Sequence, residues 1–248
     1  MASANNLVDL FSAITHNLQQ DRQHINQLDS GDGDTGDNMA ANFQLVTDTL
    51  SQFVQQAGPH ADIGAALQQA AQVLQQQGHG ATAPIYAQGL SDAAQRLQGK
   101  TGFTIDDLLP LLQGLLQGAQ QASGTRQGDG SLLDVLLPGI LTYLQAKQAG
   151  ASDTQAILNA LLSLRRGANS TATSPKGYGK AAGSDTTGRI DPGAAGAASL
   201  LEGLFGALLN SALQRGTGSA PQQNPLGSLS DLFGSQPTQP SLPPTHRV

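Results

Sequence analysis

Apolar residues recur at helical spacing along this chain from near its start to residue 209, and no stretch alternates the way a half-buried strand does. That periodicity points to an all-α fold. Leu7, Leu10, Phe11, Ile14 and Leu18 mark a first helix near 4–24. Phe43, Val46, Leu50, Phe53 and Val54 mark a second over 38–57, stopped by Gly58-Pro59. A third spans 61–77 and ends at Gly78, and a fourth covers 82–98 and ends at Gly99. The fifth opens at Thr104, with Asp106 and Asp107 in the first turn where the helix dipole favours acids, and continues through leucines to Leu116. The sixth runs from near Ser131 to Gly150, the seventh over 153–166, and Pro192 opens the eighth at a first-turn position.

A chain of 248 residues suits one domain with a sizeable core. The absence of cysteine excludes a disulfide framework and any thiolate zinc site. A net charge of −6 argues against nucleic acid as a partner. No apolar run approaches the roughly 20 residues of a membrane span. The N-terminal stretch lacks the order of a secretory signal, so a cytoplasmic location is expected. Residues 216–248 hold six of the twelve prolines, with Ser, Gln and Gly, and are expected to form a disordered tail behind a helical domain at 1–215. The polar, Gly-rich stretch at 167–190 is long for a loop inside a domain, and such loops are often functional.

Only 12% of the chain is charged, so four aspartates within nine residues (Asp29, Asp32, Asp34, Asp37) stand out. They lie in the segment from Leu28 to Met39 that joins the first two helices. Carboxylates this close repel one another unless a cation neutralises them, and hard oxygen donors suit Mg²⁺ or Ca²⁺. Gly31, Gly33 and Gly36 let the backbone fold tightly there. An EF-hand fails, because the twelfth position counted from Asp32 is Phe43 where a bidentate Glu is required. A solvated turn, with Asp34 or Thr35 capping the second helix, stays open on spacing alone. Gly99-Lys100-Thr101 has the ending of a phosphate-binding P-loop, but no strand precedes it, and it carries no weight.

Asp32-Gly33-Asp34-Thr35-Gly36-x-Asn38-Met39 resembles the signature of the L-subunit (DhaL) family of dihydroxyacetone kinases, shared with the nucleotide domain of bacterial fatty acid kinases. Three further segments follow in family order. Gly78-His79-Gly80-Ala81-Thr82-Ala83-Pro84-Ile85-Tyr86 is similar to the family's phosphate loop, with Thr82 keeping a hydroxyl and Ala83 standing in place of a glycine. Gly128-Asp129-Gly130-Ser131 through Asp134 is similar to a segment that borders the adenine or ribose. Arg165-Arg166-Gly167, then Gly188-Arg189-Ile190-Asp191-Pro192-Gly193-Ala194, is similar to the family's C-terminal nucleotide contacts, with Lys176 and Lys180 adding positive charge between them.

The resemblance implies an up-and-down barrel of eight antiparallel amphipathic helices with a nucleotide at one end. It implies metal ligands at Asp29, Asp32 and Asp34 holding Mg²⁺, two ions in the family, against ATP or ADP. It places Asn38, Met39, Gly80, Ala81, Thr82, Ser131, Arg166, Arg189, Asp191, Pro192 and Gly193 at the nucleotide. The family sets its first acid farther upstream, so this loop is shorter and Asp29 is the ligand most affected. The implied function is a kinase-type phosphotransferase subunit acting on a hydroxyl or carboxylate acceptor. A partner subunit, of the dihydroxyacetone- or fatty-acid-binding type, would present that acceptor. A phosphotransfer protein is a further expected partner where ADP stays bound as a coenzyme. The alternative is a degenerate module of the same fold that holds nucleotide and transfers nothing.

Overall fold

The computed structural model describes residues 3–29, 32–104, 107–108, 110–115, 130–170, 190 and 192–216, with the backbone alone at 130–137, 153, 165, 168–170 and 211–216. Among these residues the chain is helical, apart from an isolated bridge between Ser3 and Phe103. Eight helical segments follow in order: α1 (Asn5–Leu28), α2 (Thr35–Ala57), α3 (Ile63–Gln77), α4 (Ala83–Arg96), α5 (110–115), α6 (Gly130–Gln148), α7 (Asp153–Ser170) and α8 (Pro192–Gly216). The all-α expectation and the count of eight both hold. Met1–Leu213 forms one compact unit. The expected tail lies outside the described residues except for Gly216.

Helices α1, α2 and α8 bury the stripes their periodicity announced, whereas Leu158 and Leu162 of the α7 stripe stay 47% and 58% exposed. Leu7, Phe11, Ile14 and Leu18 of α1 are at most 1% exposed, as are Val46 and Leu50 of α2 and Leu201, Leu204 and Phe205 of α8. Neighbours in sequence pack as antiparallel hairpins, α1 on α2, α2 on α3, α3 on α4 and α6 on α7. Asn17 of α1 donates to the Ser199 carbonyl at 2.8 Å and to its hydroxyl at 3.0 Å, which ties α8 to α1. Phe43 sits between Phe11, stacked at 6.4 Å, and Tyr86, edge-on at 5.2 Å, so α1, α2 and α4 share one aromatic cluster.

Several boundaries move. The first helix runs four residues beyond the expected end, to Leu28, and the second starts at Thr35 rather than 38. Half of the acidic motif is therefore helix rather than loop. The seventh helix continues to Ser170, taking the first residues expected in the 167–190 loop, and 171–189 lie outside the described residues. The statement about membrane spans also needs correction. Pro192–Asn210 of α8 is 19 residues long with a mean hydropathy of 1.3, enough to cross a bilayer by length and composition. It is 78% buried within the fold, which marks it as a core helix. The P-loop look-alike is structural. Burial pushes the Asp107 carboxyl up, but the Thr104 hydroxyl and N–H and the Lys100 ammonium at 2.9 Å outweigh that and hold it below its ordinary value.

Two substitutions test this packing. A Cβ at Gly64 would fall 2.6 Å from the Ala94 carbonyl oxygen and the Gln98 Cα, so Gly64→Ala must force α3 from α4. Its expected cost is about 1–3 kcal/mol in urea unfolding. Gly206 of α8 has open space around it, and Gly206→Ala is expected to gain up to about 1 kcal/mol from helix propensity. The Tyr86 hydroxyl is buried without a hydrogen-bond partner among the described residues, and burial raises its pKa. Tyr86→Phe should therefore leave the melting temperature unchanged or higher; a fall would mean the hydroxyl is satisfied in solution.

Candidate functional site

The first N–H groups of any helix lack intrahelical acceptors. At α2 the acceptors come from the end of α1. Asn26 Oδ1 accepts from Gly36 N at 2.7 Å and Asp37 N at 3.2 Å. Asp29 Oδ2 accepts from the Thr35 hydroxyl at 2.7 Å and its N–H at 3.4 Å. Asp34 occupies the N-cap position and makes no side-chain cap bond. The solvated-turn reading gave that task to Asp34 or Thr35; α1 performs it instead, because its extension to Leu28 brings Asn26 and Asp29 alongside the start of α2. Gly36 is where the helices touch, since a Cβ there would meet the Arg22 carbonyl oxygen and lie 2.8 Å from Asn26 Oδ1. Its role is close approach within a helix, not the tight loop turn expected of it. Gly33, at φ +72°, makes that turn.

Freed from capping, Asp34 stands with Asp32 and Asp29, and carboxylate oxygens of the three lie within 4.8 Å of one another. Asp37 is drawn away by Arg22 at 3.2 Å and by the Asn26 amide at 2.9 Å. The Asp34 carboxyl is raised above its ordinary value by burial, by a hydrogen bond and charge from Asp32 and by the charge of Asp29, with the Asn38 side chain opposing. Three hard oxygen donors crowded against their own repulsion fit a divalent cation such as Mg²⁺.

The α3–α4 turn meets this loop through α2. The Asn38 side chain lies against Gly80, whose φ is +75°. Asn42, 1% exposed, donates from Nδ2 to the His79 carbonyl at 2.7 Å and accepts from the His79 N–H at 2.8 Å. Ala81 is exposed, and Thr82 precedes α4 with its hydroxyl making no cap bond. Ala83 is the first residue of α4, so the glycine it replaces is not required for a left-handed turn here. Met39 is 1% exposed and packs where Gly196 of α8 leaves room, a core position rather than an open contact. Pro192 and Gly193 open α8, both buried. The acidic motif and the Gly78–Tyr86 motif thus meet on the first turns of α2, and α8 reaches Met39 at Gly196, just beyond the C-terminal motif.

Other expected site residues are not brought into this cluster by any described contact. Ser131 lies in the first turn of α6 and Arg166 is exposed near the end of α7. Arg189, Asp191, Lys176 and Lys180 lie outside the described residues. Sequence reasoning missed Asn26 and Asn42. The one signal was Asn42, a polar residue one turn after Asn38 on an otherwise apolar face.

Residues 29–206 match the DAK2 domain. The chain belongs to the DAK2 domain family. The match begins at Asp29, the first carboxylate of the cluster, and bears out the DhaL resemblance. This DAK2 domain is similar to the Listeria innocua protein named PEP-dependent dihydroxyacetone kinase 2, ADP-binding subunit DhaL, at 26% identity over 180 residues, 71% of this chain and 82% of that one. The Escherichia coli ADP-binding subunit DhaL of the PEP-dependent dihydroxyacetone kinase is 27% identical over 166 residues, 66% of this chain and 77% of that one. Among solved structures, the dihydroxyacetone kinase of C. freundii superposes with a TM-score of 0.55 at 25% identity. The alignment covers 83% of this chain but 34% of that one, so this DAK2 domain spans about a third of that enzyme.

The carboxylates of this DAK2 domain should respond to mutation in opposite directions. With its pKa raised, Asp34 holds its proton longer folded than unfolded. Metal-free stability therefore falls as pH rises through the range just above the ordinary carboxylate value. Asp34→Asn should raise the melting temperature in EDTA at neutral pH and flatten that pH dependence. Asp29→Ala removes the acceptor for Thr35 and should cost about 1 kcal/mol. Calorimetric melts of both variants, with and without Mn²⁺, check the pair, and both should lose stabilisation by the ion.

Proposed function

We propose that this chain is the nucleotide-binding subunit of a cytoplasmic, dihydroxyacetone-kinase-type phosphotransferase. The observation that carries the reading is the Asp29–Asp32–Asp34 cluster in the connection leading into α2, the helix that clasps the Gly78–Thr82 turn. The relatives named as ADP-binding subunits support it. Asp29, Asp32 and Asp34 would hold Mg²⁺, one or two ions, which when bound neutralises phosphate charge and aligns the transferring group. The chain's own residues supply the rest. Asn38, packed on Gly80 of the turn, would lie between the carboxylates and the bound phosphates. The positive end of the α4 dipole, with Thr82 at its N-cap making no side-chain cap bond, favours an anion at the same turn. Ser131, Arg166, Arg189, Asp191, Pro192 and Gly193 are proposed to complete the nucleotide's surroundings.

Transfer forms a bond between the γ-phosphorus and an acceptor oxygen, and breaks the bond to the ADP leaving oxygen. The acceptor, a hydroxyl as in dihydroxyacetone or a carboxylate as in a fatty acid, is presented by a partner subunit. Where ADP remains bound, a phosphotransfer protein recharges it.

Calorimetric titration of nucleotide-free protein with ADP and ATP tests this. Binding should require Mg²⁺ and weaken at least about tenfold in Asp34→Ala, a loss of about 1.4 kcal/mol. Dihydroxyacetone should be phosphorylated only when a substrate-binding subunit is added. Efficient turnover by the chain alone would overturn the partner requirement. Binding without turnover beside a competent partner would identify a non-catalytic module. No binding at all would overturn the proposal.

A further inference from the structure

The two asparagines of α2, one turn apart, do different work on the α3–α4 turn. Asn38 touches Gly80 by contact, where a Cβ would come within 3.1 Å of its Nδ2. Asn42 spends both ends of its amide on a single residue, donating to the His79 carbonyl and accepting from the His79 N–H at 2.7 and 2.8 Å. Two antiparallel bonds from one planar group fix both the position and the tilt of that stretch of backbone. Among the described residues Asn42 is the only hydrogen-bond partner of the His79 main chain. Among the described residues the remaining backbone hydrogen bonds of the turn lie at its ends, from Gly78 N to the Leu74 carbonyl and from Ile85 N and Tyr86 N to the Thr82 carbonyl.

Packing does not explain an asparagine here. Position 42 lies beside buried Phe43, one turn before Val46, and is itself 1% exposed. An apolar residue would fill that space with better helix propensity and no amide to desolvate. The satisfied amide serves the turn rather than the core.

We infer that Asn42 is a positioning residue that sets the His79–Gly80 turn at the distance from the Asp29–Asp32–Asp34 cluster that a metal-bound diphosphate spans. The inference rests on the proposed nucleotide function and names the part of that site which fixes its span.

Asn42→Leu keeps the buried volume and removes both bonds, and Asn42→Ala serves as a second variant. Three readouts apply to the full chain. Mn²⁺ alone, titrated by electron paramagnetic resonance, should bind with affinity changed by less than about twofold, since the carboxylates are untouched. Mg²⁺–ADP affinity by calorimetry should fall about tenfold or more. Exchange of the His79 amide, followed by NMR, should accelerate by at least about tenfold as its acceptor is lost. A general structural role would weaken Mn²⁺ and ADP together, and that result overturns the inference. Unchanged ADP affinity or unchanged His79 exchange in a folded variant overturns it as well. Failure of the wild-type protein to bind Mg²⁺–ADP is the separate signature that the underlying function is wrong.

Discussion

The structure turns on who caps α2. A helix start needs acceptors for its first N–H groups, and an aspartate in the N-cap position is the usual supplier. Here Asn26 and Asp29, from the end of α1, accept from Thr35, Gly36 and Asp37 instead. Asp34 makes no cap bond and keeps its carboxyl beside Asp32, where burial and the neighbouring acids raise its pKa. Arg22 and Asn26 remove Asp37 from the group, so of four closely spaced acids three face one another. The arrangement requires α1 and α2 to touch at Gly36, where any side chain would push the helices apart and pull both acceptors out of reach.

From that junction α2 acts as the common wall of the site. One face carries Phe43, Val46 and Leu50 into the core, and the aromatic contacts of Phe43 with Phe11 and Tyr86 hold α1 and α4 against it. A second face carries Asn38 and Asn42 to the α3–α4 turn, and Met39 reaches α8 at Gly196. Segments far apart in sequence thus take their relative positions from successive turns of one helix. Rigid spacing of this kind is what phosphate chemistry needs, because its catalysis is largely alignment and charge placement.

Much of this was legible in the sequence, for identifiable reasons. The apolar stripes of α1 and α2 make the helical class legible because each stripe is long and strictly periodic. The acidic cluster was legible because charge is otherwise sparse. Boundaries were less so: Thr35-Gly36-Asp37 reads as loop chemistry, and only a neighbouring helix supplying caps makes it a first turn. Gly36 was read for backbone freedom, whereas its use is the absence of a side chain against Arg22, a fact of tertiary contact. Met39, assigned to the nucleotide through the motif, is a core residue because α8 closes over it. The span-length segment in α8 escaped notice because Gly and Ala dilute its apolar character, while burial shows where it belongs. Asn42 offers only its polarity on an apolar face as a signal, since what it binds is 37 residues away in sequence.

The shortness of the acidic loop follows from the same geometry. With α1 reaching Leu28 and α2 starting at Thr35, residues 29–34 are the whole connection. Asp29 leaves the helix directly into extended backbone, φ −78° and ψ 107°, and its side chain turns to Thr35. Gly33 reverses the chain between the other two acids. A longer loop would let the first acid approach a cation independently of the fold. This one makes Asp29 at once a helix cap and a candidate ligand, so the cluster exists only when α1 and α2 are docked. An ion that binds the docked arrangement alone stabilises it by about 2.7 kcal/mol at a hundred times its dissociation constant. Loop length therefore couples occupancy of the site to the integrity of the helix pair that builds it.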